Sequence, residues 1–153
     1  MHLKPPVTLE KLTAEWLEDA PMDMTEPAKE ISRIPNLHAK YLHILAHHRM
    51  LGERHSLTLE AVRAINAKYY SCQLNNVEDL AKYKLEPWQA TLNRDGISNH
   101  VEADEAVVDL KAKKAEQAAI VETCTTIIRE LNNRTWQLKS IVQWIAFCKG
   151  TDV

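Results

Sequence analysis

Several features that enzymes and membrane proteins commonly need are scarce or absent in this chain. Glycine occurs three times, at Gly52, Gly96 and Gly150, so neither a G-x-x-x-x-G-K nor a G-x-G-x-x-G phosphate loop can form. The three cysteines form no C-x-x-C pair, which favours reduced cytosolic thiols over a disulfide framework or a zinc site. No apolar run has the length of a membrane span, and the N-terminus lacks the apolar core of a signal peptide. We therefore expect a cytoplasmic protein without a membrane segment.

The shortage of glycine and of alternating β-branched residues also argues against a β-sandwich or a β-barrel fold, because those folds need many turns. The chain has 153 residues, which is enough for one domain with a modest core. The sequence therefore predicts a single all-α domain, residues 1–153, built from long helices.

The N-terminal segment, residues 1–35, is acidic and predicts two short helices. Thr8 can cap a helix over residues 9–19, with its apolar residues on one face. A second helix would start near Pro27 and end at Pro35, because proline breaks a helix interior. This segment is either a docking arm or a lid on the core of its own subunit.

A long helix is predicted over residues 36–72, with Asn36 as its N-cap. Apolar and aromatic residues alternate there in steps of four and three, as on one helix face. Gly52 leaves its continuity open, because glycine inside a helix costs about 1 kcal/mol relative to alanine. Residues 71–89 lose this periodicity and predict a connection. Ser98 or Asn99 can cap a C-terminal helix that begins near His100.

The widest apolar surface lies in the C-terminal helix, which Gly150 would end. Steps of three and four residues define one face, and further apolar residues widen it. Such a helix must be buried on several sides, either as an ordinary core helix or between subunits. We predict that it forms a homo-oligomer interface through Val121, Cys124, Ile128, Leu131, Leu138, Val142 and Ile145.

Positive charge is concentrated in the middle of the chain, although the net charge is −2. Residues 31–94 hold nine bases and five acids, whereas residues 1–30 and 95–153 are both net acidic. A protein that binds single-stranded nucleic acid without reading its sequence needs basic side chains that neutralise phosphates. It also needs aromatic rings that stack on nucleobases. The alternative is that Tyr69 belongs to the core and the arginines only solvate the outer face. The predicted nucleic-acid-binding residues, within region 36–94, are Arg49, Arg54, Arg63, Lys68, Tyr69, Tyr70, Lys82 and Lys84.

No catalytic constellation is visible in the sequence. His43 and His47 have the i, i+4 spacing of metal ligands, but no H-E-x-x-H or E-x-x-H motif accompanies them, and a solvated or interfacial histidine face is the commoner reason for such a pair. We expect no metal, no cofactor and no enzymatic activity. A helical scaffold without a DNA role and a small enzyme with dispersed residues both stay open as alternatives.

Two segments of the chain resemble the phage UvsY family of recombination mediators. The segment R-A-I-N-A-K-Y-Y-S, residues 63–71, is similar to the basic-then-Tyr-Tyr-Ser segment of that family. The segment R-T-W-Q-L-K-S-I-V-Q-W-I-A-F-C-K-G, residues 134–150, is similar to its closing helix. The chain departs from the family at Ala64 and Asn66, which align with basic positions, so individual DNA contacts do not carry over. The family's glycine after the serine is Cys72 here.

The resemblance implies a helical protein that assembles into a ring or open barrel of identical subunits. It implies binding to single-stranded DNA, to a phage RecA-like recombinase and to a phage single-strand-binding protein. The implied role is to help load the recombinase in place of the single-strand-binding protein during phage recombination and repair, in the cytoplasm of an infected bacterial cell. The resemblance implies no catalytic activity, because the recombinase hydrolyses the ATP. Region 95–153 would then provide assembly, and region 36–94 would hold the DNA.

Overall fold

The computed structural model describes residues 7–150, which form five α-helices and no strand. The helices are α1 (Leu9–Asp19), α2 (Pro27–Tyr70), α3 (Val77–Tyr83), α4 (Arg94–Ala103) and α5 (Glu105–Cys148). The all-α prediction is therefore confirmed. No helix of this described range is both long and apolar enough to cross a membrane.

The chain divides into two compact units. Unit 1 combines the described residues up to Met50 with those from Glu116 onward, and unit 2 is residues 51–115. Helices α2 and α5 each contribute residues to both units. Unit 2 is thus continuous in sequence, whereas unit 1 is made from two separate stretches of chain.

Helix α1 has the bounds that the sequence predicts. The Thr8 hydroxyl oxygen accepts a hydrogen bond from the backbone N–H of Lys11 at 3.3 Å, which satisfies one of the free amides of the first turn. Leu12 is fully buried in unit 1. A local cap and one apolar face are enough to define this short helix.

Helix α2 is longer than predicted. It begins at Pro27 and continues through Pro35, Asn36 and Gly52 to Tyr70, so the predicted end at Pro35 and the predicted cap at Asn36 are wrong. Proline removes one hydrogen bond to the carbonyl of Ile31. Both Pro35 and Ile31 are exposed, so water can satisfy that carbonyl and the helix tolerates the loss.

The predicted connection over residues 71–89 contains helix α3. The Asn76 side-chain oxygen caps it by accepting from the backbone N–H of Glu78 at 3.3 Å. Helix α3 ends at Lys84, which takes a left-handed backbone with φ 56°. A helix of seven residues, about two turns, is too short for its periodicity to be recognised in the sequence.

The start of the C-terminal helix was also predicted wrongly. Ser98 and Asn99 lie inside α4, which Asn93 caps by accepting from the backbone N–H of Gly96 at 2.7 Å. Asp104 then separates α4 from α5 and accepts from the backbone N–H of Ala106 at 3.0 Å. The predicted end is confirmed, because α5 stops at Cys148 and Gly150 has φ 69°.

The core of unit 1 is formed by one stripe of α5 packed with α1 and the first half of α2. Its buried members are Leu12, Leu37, Tyr41, Leu45, Ile120, Cys124, Ile127 and Leu131. Burial raises the pKa of the Cys124 thiol to about 11, so this cysteine is a neutral core residue near pH 7. The apolar face of α5 is thus partly used within one subunit.

Asp19, the last residue of α1, is held by two side chains of α2. Its carboxylate accepts from Lys40 Nζ at 2.8 Å and from the Tyr41 hydroxyl at 2.9 Å, and Arg33 lies 3.5 Å away. A carboxylate at a helix C-terminus is unfavourable by itself. Burial would raise the pKa of Asp19, but the hydrogen bonds from Lys40 and Tyr41 outweigh burial and hold the pKa below its usual value.

We expect Asp19→Asn to lower the free energy of unfolding by about 1–2 kcal/mol at pH 7, because two hydrogen bonds to a charged acceptor are weakened. A depressed pKa stabilises the fold above the unfolded value and loses that effect as the pH falls through the folded value. The difference from wild type should therefore shrink below about pH 4. Urea unfolding at several pH values measures it, and Glu18→Gln, on an exposed neighbour, is the matched control. A loss as large in the control would contradict the assignment to Asp19.

Unit 2 has its own small set of buried apolar side chains. These are Leu59, Leu74, Leu80, Val101 and Val107. Asn66 of α2 is buried as well, and its side-chain nitrogen has no hydrogen-bond partner within residues 7–150. The predicted alternation in steps of four and three includes Thr58 and Ile65. Leu59 and Asn66 each lie one position later, so the buried face of α2 is rotated by about 100° from the predicted face here.

Candidate nucleic-acid interface

Two of the predicted phosphate contacts, Arg54 and Lys68, are exposed residues of unit 2 on the same side of α2. Nearly four helical turns, about 20 Å, separate them. Neither takes part in an ion pair within residues 7–150. Arg49 is exposed too and belongs to unit 1. The charges of these three side chains are therefore available to an anion.

Lys82 and Lys84 lie at the end of α3, and both are exposed. The Lys82 ammonium sits 5.2 Å from the centre of the Tyr83 ring, within the range of a cation–π contact. The backbone N–H of Lys84 donates to the carbonyls of Leu80 and Ala81. The helix end thus fixes the backbone of both lysines and leaves their side chains in solvent.

Tyr69 and Tyr70, the predicted stacking residues, pack with Trp88 and His100 in unit 2. We call these four residues the aromatic cluster. The ring centres of Tyr70 and Trp88 are 5.0 Å apart at an angle of 89°, and those of Tyr70 and His100 are 5.3 Å apart. The Tyr69 hydroxyl donates to the Glu86 carbonyl at 2.8 Å. Edge-to-face contacts of this kind are favourable for aromatic pairs.

The rings of Tyr69 and Tyr70, which the sequence predicts to stack on DNA bases, contact each other and Trp88 in this structure. Burial, Asp104 and Tyr69 together raise the pKa of Tyr70, so its hydroxyl stays protonated near pH 7. The sequence prediction missed Trp88 and His100 as members of the aromatic cluster. A tryptophan in an otherwise polar connection was the available signal, because such a side chain is seldom left in water.

Arg63, another predicted phosphate contact, is half-buried and paired with an acid. Its Nη2 donates to Glu102 Oε2 at 3.0 Å. Its Nε lies 2.9 Å from Oε1, but the N–H there makes no aligned hydrogen bond. Lys111 Nζ binds the same oxygen, Oε2. Hydrogen bonds from Lys111 and Arg63 hold the pKa of Glu102 below its usual value, so it is ionised near pH 7.

Two bases of α5 therefore accompany Arg63 in unit 2, and the sequence prediction missed both. Lys111 binds Glu102, and Lys114 Nζ donates to the Ser56 hydroxyl at 3.0 Å. The signal was their i, i+3 spacing, which places two bases on one helix face. A net-acidic C-terminal region concealed it.

The positions where the chain departs from the resembling family differ in exposure. Ala64 is exposed, but Asn66 is buried in unit 2. A side chain at position 66 of this chain points to the interior and cannot contact DNA without unfolding. The local positive charge is provided instead by neighbouring positions of α2.

The predicted interface residues of α5 fall into three classes of exposure within the single chain. Cys124, Leu131 and Leu138 are fully buried, Val121, Ile128 and Ile145 are half-buried, and Val142 is 40% exposed. The first three already pack inside the subunit. Val142 and the half-buried residues have surface left for another subunit.

The last turns of α5 carry large aromatic side chains in solvent. Trp144 is 66% exposed and Phe147 is 75% exposed, and their rings stack with centres 5.9 Å apart. Trp136 is exposed as well. Phe147 lies about 180° around the helix from Leu138, so this end of α5 is apolar on opposite sides. Exposed aromatic rings are enriched in protein interfaces.

The histidines of α2 do not form a metal site in the described part of the chain. No group of three or more His, Cys, Asp or Glu side chains that could hold a metal occurs among residues 7–150. His48 is buried, and its Nδ1 lies 2.6 Å from Gln117 Oε1. His47 packs edge-on against the His48 ring, with centres 5.4 Å apart.

The fold of this chain matches a solved structure, and its sequence matches a family model. Among solved structures, the crystal structure of the bacteriophage T4 recombination mediator protein UvsY has a TM-score of 0.77 and 18% sequence identity, covering 95% of this chain and 98% of that chain. At this identity the likeness shows the fold. A search of curated proteins finds no match to this chain. The family model described as "Recombination, repair and ssDNA binding protein UvsY" matches residues 15–151. Because that match spans most of the sequence, the chain belongs to the UvsY family.

Proposed function

We propose that this protein is a recombination mediator without catalytic activity of its own. It binds single-stranded DNA as a homo-oligomer, in the form of a ring or open barrel, and helps a RecA-like recombinase replace a single-strand-binding protein. The observation that carries the proposal is the match of the UvsY family model over residues 15–151. Membership of that family supports a role in recombination and repair.

The bases of unit 2 support the DNA-binding part of the proposal. Arg54, Lys68, Lys82 and Lys84 are exposed, and none takes part in an ion pair within residues 7–150. Contacts between such side chains and phosphates release counterions from the nucleic acid and do not depend on base sequence. We therefore assign binding of DNA through its backbone to these residues, with Arg49 of unit 1 as a further contact.

We expect Arg54→Ala with Lys68→Ala to weaken binding to all single-stranded sequences alike. The slope of log affinity against log salt should flatten by about one and a half units, because each lost phosphate contact removes about 0.7 unit for a single strand. Fluorescence anisotropy with labelled oligo-dT and with a mixed-sequence oligonucleotide, over a salt series, measures this slope.

The control is the double variant Lys11→Ala with Lys29→Ala. It removes the same charge from exposed bases of the acidic N-terminal segment and should leave the slope unchanged. A slope that stays the same in the Arg54 and Lys68 variant would move the DNA contacts to other bases. Wild-type protein that binds no single-stranded DNA at low salt would contradict the proposed function and favour a helical scaffold.

A further inference from the structure

The strongest feature that the proposed function leaves unexplained is the ion network of Arg63, Glu102 and Lys111 in unit 2. Two bases converge on one carboxylate oxygen, Glu102 Oε2. The side chains of all three residues are about 40% exposed. Each ion pair at this exposure adds little stability, because water and salt screen it.

The network has the form of an anion site that an acid of the chain already fills. Arg63 presents Nε and Nη2 to Glu102, but only Nη2 makes an aligned hydrogen bond. A guanidinium fork matches the spacing of phosphate oxygens and binds them in pairs. A phosphate placed where the carboxylate lies could accept from both nitrogens of Arg63 and from Lys111.

Helix geometry extends the site along unit 2. Ser56 and Arg63 are two turns apart on one face of α2, and Lys111 and Lys114 are adjacent on one face of α5. The contacts Arg63–Glu102–Lys111 and Ser56–Lys114 bring these two faces together. Three bases and a hydroxyl therefore form one row, and Glu102 is the acid bound within it.

We propose that Arg63, Lys111 and Lys114 form a binding site for the phosphates of single-stranded DNA, and that Glu102 competes with phosphate for this site. The inference rests on the proposed function and adds to it both the α5 bases and the competing acid. When DNA binds, a phosphate displaces the Glu102 carboxylate from Arg63 and Lys111. The acid thereby weakens the hold of each subunit on DNA, which suits a protein that must pass the strand to a recombinase.

Glu102→Gln tests the proposal, because it removes the competing charge while keeping the size of the side chain. We expect binding of oligo-dT to tighten by about three- to tenfold at 0.1 M salt, because phosphate no longer has to displace a carboxylate from Arg63 and Lys111. Adding Lys111→Ala should cancel most of this gain, and it should have a smaller effect in the wild-type background.

Asp109→Asn is the matched control. Asp109 lies on α5 in the same unit and pairs with Lys113 at 2.7 Å, so the change removes the same charge and also releases a lysine. We expect it to change affinity less than about twofold. Equal tightening in the two variants would overturn the proposal, because charge alone would then explain the gain. A lowered melting temperature with unchanged DNA affinity in Glu102→Gln would overturn it too, and would make the network structural.

A second measurement uses the wild-type protein and needs no variant. Carbodiimide labelling of the Glu102 carboxylate should rise when saturating oligo-dT is added, because the DNA displaces it from its bases, whereas labelling of Asp109 should not change. Labelling of Glu102 that stays constant or falls would overturn the proposal while the binding of DNA itself stands. Absence of any DNA binding by both wild type and Glu102→Gln would overturn the proposed function together with the inference.

Discussion

We expect Val142→Asp to convert the proposed homo-oligomer into separate subunits that stay folded. Val142 is 40% exposed on α5 within the single chain, so the carboxylate can remain in water when the subunit is alone. In a subunit interface the same carboxylate would be desolvated without a partner, at a cost of several kcal/mol. We expect the dissociation constant of the assembly to rise at least about a hundredfold. Analytical ultracentrifugation measures the size, and far-UV circular dichroism measures the helix content.

Two further variants of α5 separate assembly from folding. Val108→Asp changes a valine of unit 2 that is 51% exposed, and it should leave the assembly intact. Leu138→Asp introduces a charge at a position that is fully buried within the chain, so it should lower the free energy of unfolding by at least about 3 kcal/mol. Wild-type protein that sediments as a monomer at micromolar concentration would refute the interface on α5.

The second large effect concerns DNA length. Val142→Asp should lose about a hundredfold or more in affinity for an oligonucleotide that spans several subunits, and little for one that spans a single subunit. The bases of one subunit are screened within about 8–10 Å at working salt and hold DNA weakly. In an assembly, each contact after the first forms at high effective concentration, so avidity multiplies the affinity. Fluorescence anisotropy with an oligo-dT length series measures both.

The comparison requires Val142→Asp to be shown folded and dissociated first. Val108→Asp, measured on the same series, should follow the wild type at every length. Equal loss of affinity by Val142→Asp at all lengths would mean that each subunit binds DNA independently, and that assembly serves another purpose.

The sequence predicts those parts of the fold that local interactions determine. Helix α1 needs only the Thr8 cap and one apolar face, and both are visible within a few residues. The predicted helix end at Pro35 is wrong because the cost of a proline is visible in the local sequence. The packing of Leu37, Tyr41 and Leu45 in unit 1 depends on distant residues and is not visible there. On α5 the steps of three and four identify the apolar surface. Which stripe faces the core depends on the helices that pack there, and the sequence does not display that.

The candidate DNA interface also combines features that the local sequence predicts with features that depend on tertiary contacts. Charge counts identify Arg54 and Lys68 as bases of the middle region, and the structure leaves both of them exposed. The acid bound to Arg63 comes from α4, and the aromatic partners of Tyr70 come from residues 88 and 100. Neither pairing leaves a local pattern, because each depends on how distant segments meet within unit 2. The sequence therefore shows which residues are basic or aromatic, whereas their protein partners depend on the fold.

The order of the two units along the chain has a consequence for how the protein folds as it is synthesised. Unit 2, residues 51–115, is complete once one continuous stretch has left the ribosome. The core of unit 1 joins Leu12, Leu37 and Tyr41 to Ile120 and Leu131, so it can close only after residue 131 has been synthesised. Closing so long a loop has an entropic cost that grows slowly with its length and that a folded unit 2 reduces. Until then, the apolar residues of α1 and of the first half of α2 lack their α5 partners, which makes the nascent N-terminal segment the part most exposed to misassociation and to chaperones.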